Sequence, residues 1–153
     1  MDPTDPMDRG KRYENLARQV SAIGAVKRGL ARTLPADCPG GSAIVLALLH
    51  HHGDMRIGRV SELMAVDMSV SSRHVAHTVD RGWVERLPDP ADRRSRILHL
   101  TPAGESMLAV LDRRLTDMLA RTLVEWSDDD VELLTDLLAR LRDSFGDCRA
   151  HHA

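Results

Sequence analysis

Four arginines, Arg86, Arg93, Arg94 and Arg96, fall within eleven residues of this 153-residue chain, beside Asp92. Guanidinium groups at that density suit phosphate oxygens, which they meet as planar forks of donors. A second set, Ser69, Ser71, Ser72, Arg73, His74 and His77, offers hydroxyl, guanidinium and imidazole groups on a short helical segment, the types that reach base edges and phosphates. The adjacent His50, His51 and His52 resemble a metal site only superficially. Successive helical residues point about 100° apart, so at most two of them can share an ion, and zinc needs further ligands. They read instead as cations in a last helical turn, where the macrodipole favours them, and neither metal nor cofactor is expected. No Gly-rich phosphate loop, no G-x-S-x-G and no H-E-x-x-H occurs, and Asp128 to Asp130 are helix caps by position, so an enzyme is not expected.

The net charge of −2 argues against a nucleic-acid partner until it is divided along the chain. Residues 1–55 carry seven Lys/Arg against six Asp/Glu, 56–99 carry eight against six, and 100–153 carry six against eleven. The arginines therefore concentrate where a backbone of phosphates would be met, and local charge governs that encounter. Aromatic content is only 3%, so the core must be built from Leu, Val, Ile, Met and Ala, which favours helices over a sandwich. No apolar run reaches 18 residues and the amino terminus is polar and acidic, so no membrane span or signal peptide is expected and the cytoplasm is the expected location. Cys38 and Cys148 are too few and too far apart for a disulfide framework and read as reduced thiols.

The elements that must position these groups follow from periodicity. Leu16, Val20, Ile23 and Leu30 predict a helix over 10–34, ended by Pro35 and the Pro39-Gly40-Gly41 cluster. A second helix, about 42–52, is apolar nearly all round and therefore buried, with Gly53 behind it. Two short helices follow, one carrying Ile57, Val60 and Met64, the other Val75 and Val79, with Asp67 or Ser69 at the second start and Gly82 at its end. Val84–Leu87 and Ile97–Leu100 then read as strands of a hairpin whose tip is PDPADRRSR. Thr101-Pro102 opens a long helix bearing Met107, Leu108, Leu111, Leu115, Met118, Leu119, Thr122 and Trp126. Ser127 opens a last one bearing Val131, Leu134, Leu137, Leu138 and Leu141. The pattern predicts a mainly α (α+β) winged helix-turn-helix at 36–101. It is flanked by long dimerisation helices at 1–35 and 102–153, because the small lobe offers those apolar faces too little surface. The alternative is an intramolecular bundle.

The string DPADRRSRILHLTPAGE contains D-x-R-x-x-x-L-x-L-T-x-x-G. On this motif, and on Gly53, Val60, Val66, Asp67, Ser69, Ser72, Arg73, Val75, Gly82 and Val84-Glu85-Arg86, the chain resembles the MarR-type winged-helix transcription regulators, over about residues 40–105 by motif. The resemblance implies a homodimer on a pseudo-palindromic double-stranded operator, a recognition helix in the major groove and a wing at the minor groove. It also implies a repressor released by a small-molecule effector. Arg73 and His74 are assigned to bases. Arg94 is assigned to the minor groove with Asp92 holding its guanidinium, and Arg93 and Arg96 to phosphates or Asp pairs. A cleft lined by Arg12, Tyr13, His50 and His51 is the candidate effector site. Three positions depart from the family pattern: Arg56 where a capping Thr or Ser is common, Leu63 at a usually polar position, and Thr78 where a core Leu is usual. A dimeric protein-interaction module that keeps the fold without operator binding is the competing function.

Overall fold

The computed structural model describes residues 6–147, which fall into two compact units divided between Met118 and Leu119. Cys148 and the first five residues lie outside the described residues.

In the first unit, α1 (Pro6–Ala22) and α2 (Gly24–Ala31) replace the single helix expected over 10–34. The Ser21 hydroxyl donates to the Ala17 carbonyl, a back-bond that bends helices, and Gly24 follows at once, so the ladder breaks at Ile23. The next helix, α3 (Gly40–His52), starts two residues earlier than its apolar run suggests. Gly40 and Gly41 form its first turn behind Pro39, and Gly53 at φ +76° leads the chain out. Because α3 is apolar nearly all round, it lies at the centre with Val45, Leu46 and Leu49 buried. Each such side chain contributes about 2 kcal/mol of transfer free energy.

Around α3 pack α4 (Ile57–Met64) and α5 (Met68–Asp80), and then the antiparallel strands β1 (Val84–Pro88) and β2 (Arg96–Leu100), in register Val84 opposite Leu100 and Pro88 opposite Arg96. Val60, Val75, Trp83, Val84, Leu98 and Leu100 complete the core, and so does Cys38. Burial raises the Cys38 thiol pKa above its ordinary value, with the neighbouring Asp37 carboxylate adding to the shift. Met55 adds an isolated antiparallel bridge to β2 that periodicity did not reveal: it exchanges both backbone hydrogen bonds with Leu98 at 2.8 and 3.3 Å. Of the family departures, Thr78 is buried and satisfies its hydroxyl by donating to the Val75 carbonyl, while Leu63 is half-buried against the core.

The turn out of α5 and the start of α6 (Pro102–Thr122) are locked together. Gly82, at φ +72°, donates to the Val79 carbonyl and Trp83 to that of Thr78, the Schellman pattern. Thr101 reaches across with its hydroxyl to the Gly82 carbonyl at 2.6 Å and accepts from the Gly104 N–H at 3.1 Å, capping α6. A Cβ at Gly104 would collide with the Trp83 carbonyl oxygen and Leu100, which is why this position holds glycine. α4 ends with Ala65 in the left-handed region at φ 53°.

α6 ends at Thr122, so Trp126 lies in the connecting turn and not on the helix face to which its spacing assigned it. In the second unit, Ser127 caps α7 (Asp128–Asp147) as expected, accepting from the Asp130 N–H while its hydroxyl donates to the Asp130 carboxylate.

Candidate nucleic-acid interface

α4, the short turn and α5 form a helix-turn-helix. α5 presents Ser69, Arg73, Ala76 and Asp80 as its exposed line, with Ser72 half-exposed beside it. The helix start is set by backbone alone: Asp67 is in the N-cap position, extended, and its carbonyl accepts from Val70 and Ser71 without help from its side chain.

Three residues assigned to the DNA-reading face point elsewhere. Ser71 is 0% exposed, and its hydroxyl shares a short hydrogen bond with Ser61 of α4 and approaches the Met68 carbonyl at 3.0 Å. A buried hydroxyl must find partners of this kind, so Ser71 joins α4 to α5. The imidazole of His77 lies with Nδ1 3.0 Å from the buried Ser42 hydroxyl of α3, and its ring meets Trp83 edge-on at 5.8 Å. Over Gly41 sits the ring of His74, close enough that any side chain there would collide with it. Both histidines are half-buried and dock α5 onto the first turn of α3. Arg81 adds to this junction, pairing with Asp37 at 2.6 Å with its guanidinium 5.2 Å from the centre of the Trp83 ring.

The wing tip is a pair of side-chain-closed turns. Asp89 accepts from the Ala91 N–H at 2.8 Å, and Asp92 accepts from the Arg94 N–H at 3.1 Å and the Ser95 hydroxyl at 2.7 Å. Asp92 therefore holds the Arg94 backbone, not its guanidinium as expected. Arg56, at the start of α4, closes on Asp89: its Nε and Nη2 both lie 2.6 Å from the same carboxylate oxygen, and Nη2 faces Asp92 at 3.9 Å. These donors hold both carboxyls below the ordinary value of 3.8. For Asp89 the Ala91 N–H is the leading cause, followed by Arg56; for Asp92 it is the Ser95 hydroxyl, followed by the Arg94 N–H. With the wing carboxylates so occupied, the exposed guanidiniums of Arg93, Arg94 and Arg96 have no acidic partner among the described residues.

Of the four residues proposed for an effector cleft, Arg12 and Tyr13 lie on α1 and His50 and His51 on α3. His50 bonds Glu105 of α6 at 3.1 Å and meets His51 ring to ring, while Tyr13 is exposed on α1 with Arg9 5.9 Å from its ring centre. Arg12 neighbours it on that helix. The apolar cavity of the first unit, about 330 Å³, lies between α2, α3 and α6 and is lined by residues including Leu30, Leu34, Ala43, Ala47, Leu108 and Leu111. Its lining looks like ordinary helix packing in sequence, and so gave no signal. Arg56 did give one: it stands where a capping hydroxyl is usual.

An α5 with an open Arg73 face beside a wing of unpaired arginines defines a winged-helix DNA-binding protein. A family model described as the MarR family matches residues 36–95. A transcriptional regulator of Bacillus subtilis, YxaD, is 27% identical over 106 residues, which cover 69% of this chain and 74% of that protein. The wild-type MarR of E. coli, solved in its apo form, superposes with a TM-score of 0.70 at 26% identity, over 82% of this chain and 96% of that one. A mutant MarR of E. coli solved in complex with operator DNA shares the fold, with a TM-score of 0.65 at 24% identity over 90% and 99% of the two chains. Over residues 36–95 the chain is thus similar to the MarR family, whose winged helix-turn-helix fold it shares, and the Bacillus subtilis relative is a transcriptional regulator by name. Among the described residues no helix is long and apolar enough to cross a membrane.

Proposed function

We propose that this chain acts in the cytoplasm as a homodimeric repressor that occludes a pseudo-palindromic operator. The observation that carries the reading is the charge pattern of the wing: its carboxylates are committed to internal contacts while Arg93, Arg94 and Arg96 are exposed and have no acidic partner among the described residues. An arginine on such a tip fits the narrow, electronegative minor groove, and a helix fits the major groove. Arg94 takes the minor groove, Arg93 and Arg96 take phosphates, and Arg73 reads bases with Ser69 and Ser72 beside it. The operator-bound MarR supports this reading by its fold.

Residues 36–101 form the DNA-binding domain in this reading, and 1–35 with 102–153 form the dimer arms. Leu16, Val20, Ile23 and Val26 on the amino-terminal helices, and Leu133, Leu134, Leu137 and Leu138 on α7, leave apolar side chains exposed that a second copy would cover. Half-sites one helical turn apart then require recognition helices separated by roughly 34 Å. A small apolar effector in the cavity between α2, α3 and α6 would release DNA by favouring another separation, to the extent of its differential affinity for the two states.

Selection from random duplex DNA at two salt concentrations tests the reading. Recovery of an inverted repeat with half-sites about one turn apart is expected. Enrichment of no sequence by a folded dimer would instead favour a protein-interaction module.

A further inference from the structure

We infer that Arg56 is a positioning residue for DNA binding: by clamping Asp89, it sets the orientation in which the wing arginines meet the duplex. The inference rests on the DNA-binding reading and adds to it a residue that touches no DNA itself.

The clamp begins in the backbone. Met55 is hydrogen-bonded on both sides to Leu98 of β2, so the residue after it leaves from the sheet and not from a free loop. Arg56 is extended, at φ −72° and ψ 153°, and gives α4 no side-chain cap. Its side chain is committed to the wing instead. The acceptor, Asp89, is nearly buried at 11% side-chain exposure and lies between Pro88 and Pro90, whose fixed φ angles limit the ways that segment can bend. Asp89 also bonds the Ala91 N–H, and its own N–H donates to the Ser95 carbonyl across the tip. The single carboxylate thus joins the start of the helix-turn-helix to the root of the loop that carries Arg93 and Arg94. Charge-assisted hydrogen bonds at this length are among the strong ones, and one between a half-exposed and a nearly buried partner is less screened than a surface pair. Without the clamp the tip keeps its internal turns, but its angle to the helices is left to the two strands.

Removal of Asp89 gives a test whose sign is decisive. Deleting a carboxylate near phosphates strengthens binding if charge alone matters; the clamp model requires that binding weaken. Asp89→Asn is the variant of choice, because an Asn side-chain oxygen can still accept from Ala91 and preserve the turn. The full chain and its Asp89→Asn, Arg56→Ala, Arg56→Lys and double Arg56→Ala/Asp89→Asn variants are titrated against a fluorescein-labelled mixed-sequence duplex of about 30 base pairs, comfortably longer than two half-sites one turn apart, over a series of salt concentrations. Circular dichroism melts confirm that each variant is folded.

The expected result is a loss of about fivefold for Asp89→Asn and for Arg56→Ala, a double variant no weaker than the weaker single, and partial retention by Arg56→Lys. The salt slope of Asp89→Asn should match that of wild type, because no phosphate contact is lost. Unchanged or tighter binding by Asp89→Asn overturns the inference. If Arg56→Ala alone weakens binding and its slope falls by about 0.9, Arg56 is a direct phosphate contact and the clamp role is again overturned. A wild-type chain without salt-dependent binding would instead sink the DNA-binding reading itself, which separates the two failures.

Discussion

The winged-helix lobe and the terminal helices spend their apolar residues in opposite ways. In the lobe, Val45, Leu46, Val60 and Val75 are fully buried, and the exposed surface carries ion pairs and free arginines. On α1 and α7, Leu16, Val20, Leu133, Leu137 and Leu138 stand about half exposed along helices that are otherwise polar, and α7 opens with three aspartates. A lobe of that kind is complete as one chain. Helices of that kind leave an apolar face in water, which forgoes the transfer free energy that folding depends on, and this is the face the proposed dimer would cover. In the proposed reading the contrast divides the work: recognition in the closed lobe, assembly in the open helices.

The strongest way to break the contrast is to put a charge on the open face. Leu137→Glu should cost the dimer about 3 kcal/mol or more, because two-fold symmetry counts the substitution twice, and should leave monomers by sedimentation at micromolar concentration. The same substitution in the absence of a dimer would leave mass and stability unchanged. Next in size is Gly104→Ala, a methyl group placed against the Trp83 carbonyl in the closed lobe. It should destabilise folding by about 1–3 kcal/mol in denaturant titrations and leave the salt slope of DNA binding as it was. Arg73→Ala should relax discrimination at particular base pairs by about 1–3 kcal/mol, read by competition between duplex variants. By contrast, Arg94→Ala should weaken binding to every sequence and lower the salt slope by about one unit.

The smallest effect is that of pH on the wing. Asp89 and Asp92 titrate below 3.8 in the folded chain. A depressed folded pKa stabilises the folded form, fully above the unfolded value and progressively less as pH falls through the folded one. The Ala91 and Arg94 amide resonances should therefore hold steady from about pH 8 to 5 and move only below about pH 4, earlier in Arg56→Ala, where Asp89 has lost a donor.

Much of the lobe was legible because its signals are local. Gly82 ends α5 and Thr101 caps α6, and each follows from what one residue type can do. The hairpin was likewise implied by short apolar runs around a turn-rich tip, though its register was not. What escaped were choices made in three dimensions. Helical spacing allows Ser69, Ser71, His74 and His77 on one short helix but does not say which side α3 and α4 will cover, and they cover Ser71, His74 and His77. The partner of Arg56 is 33 positions away in sequence, a contact no periodicity encodes. Asp92 does stabilise the wing, yet through the Arg94 amide, because a side chain two residues back is well placed for a turn.

The most direct test of the account is the mass of the complex. Sedimentation of the purified chain, alone and with one selected inverted-repeat duplex, should give twice the 17.0 kDa chain mass alone and two chains per duplex together. A 17.0 kDa species that binds one duplex as a single chain would contradict the division between a closed recognition lobe and helices completed by a second copy.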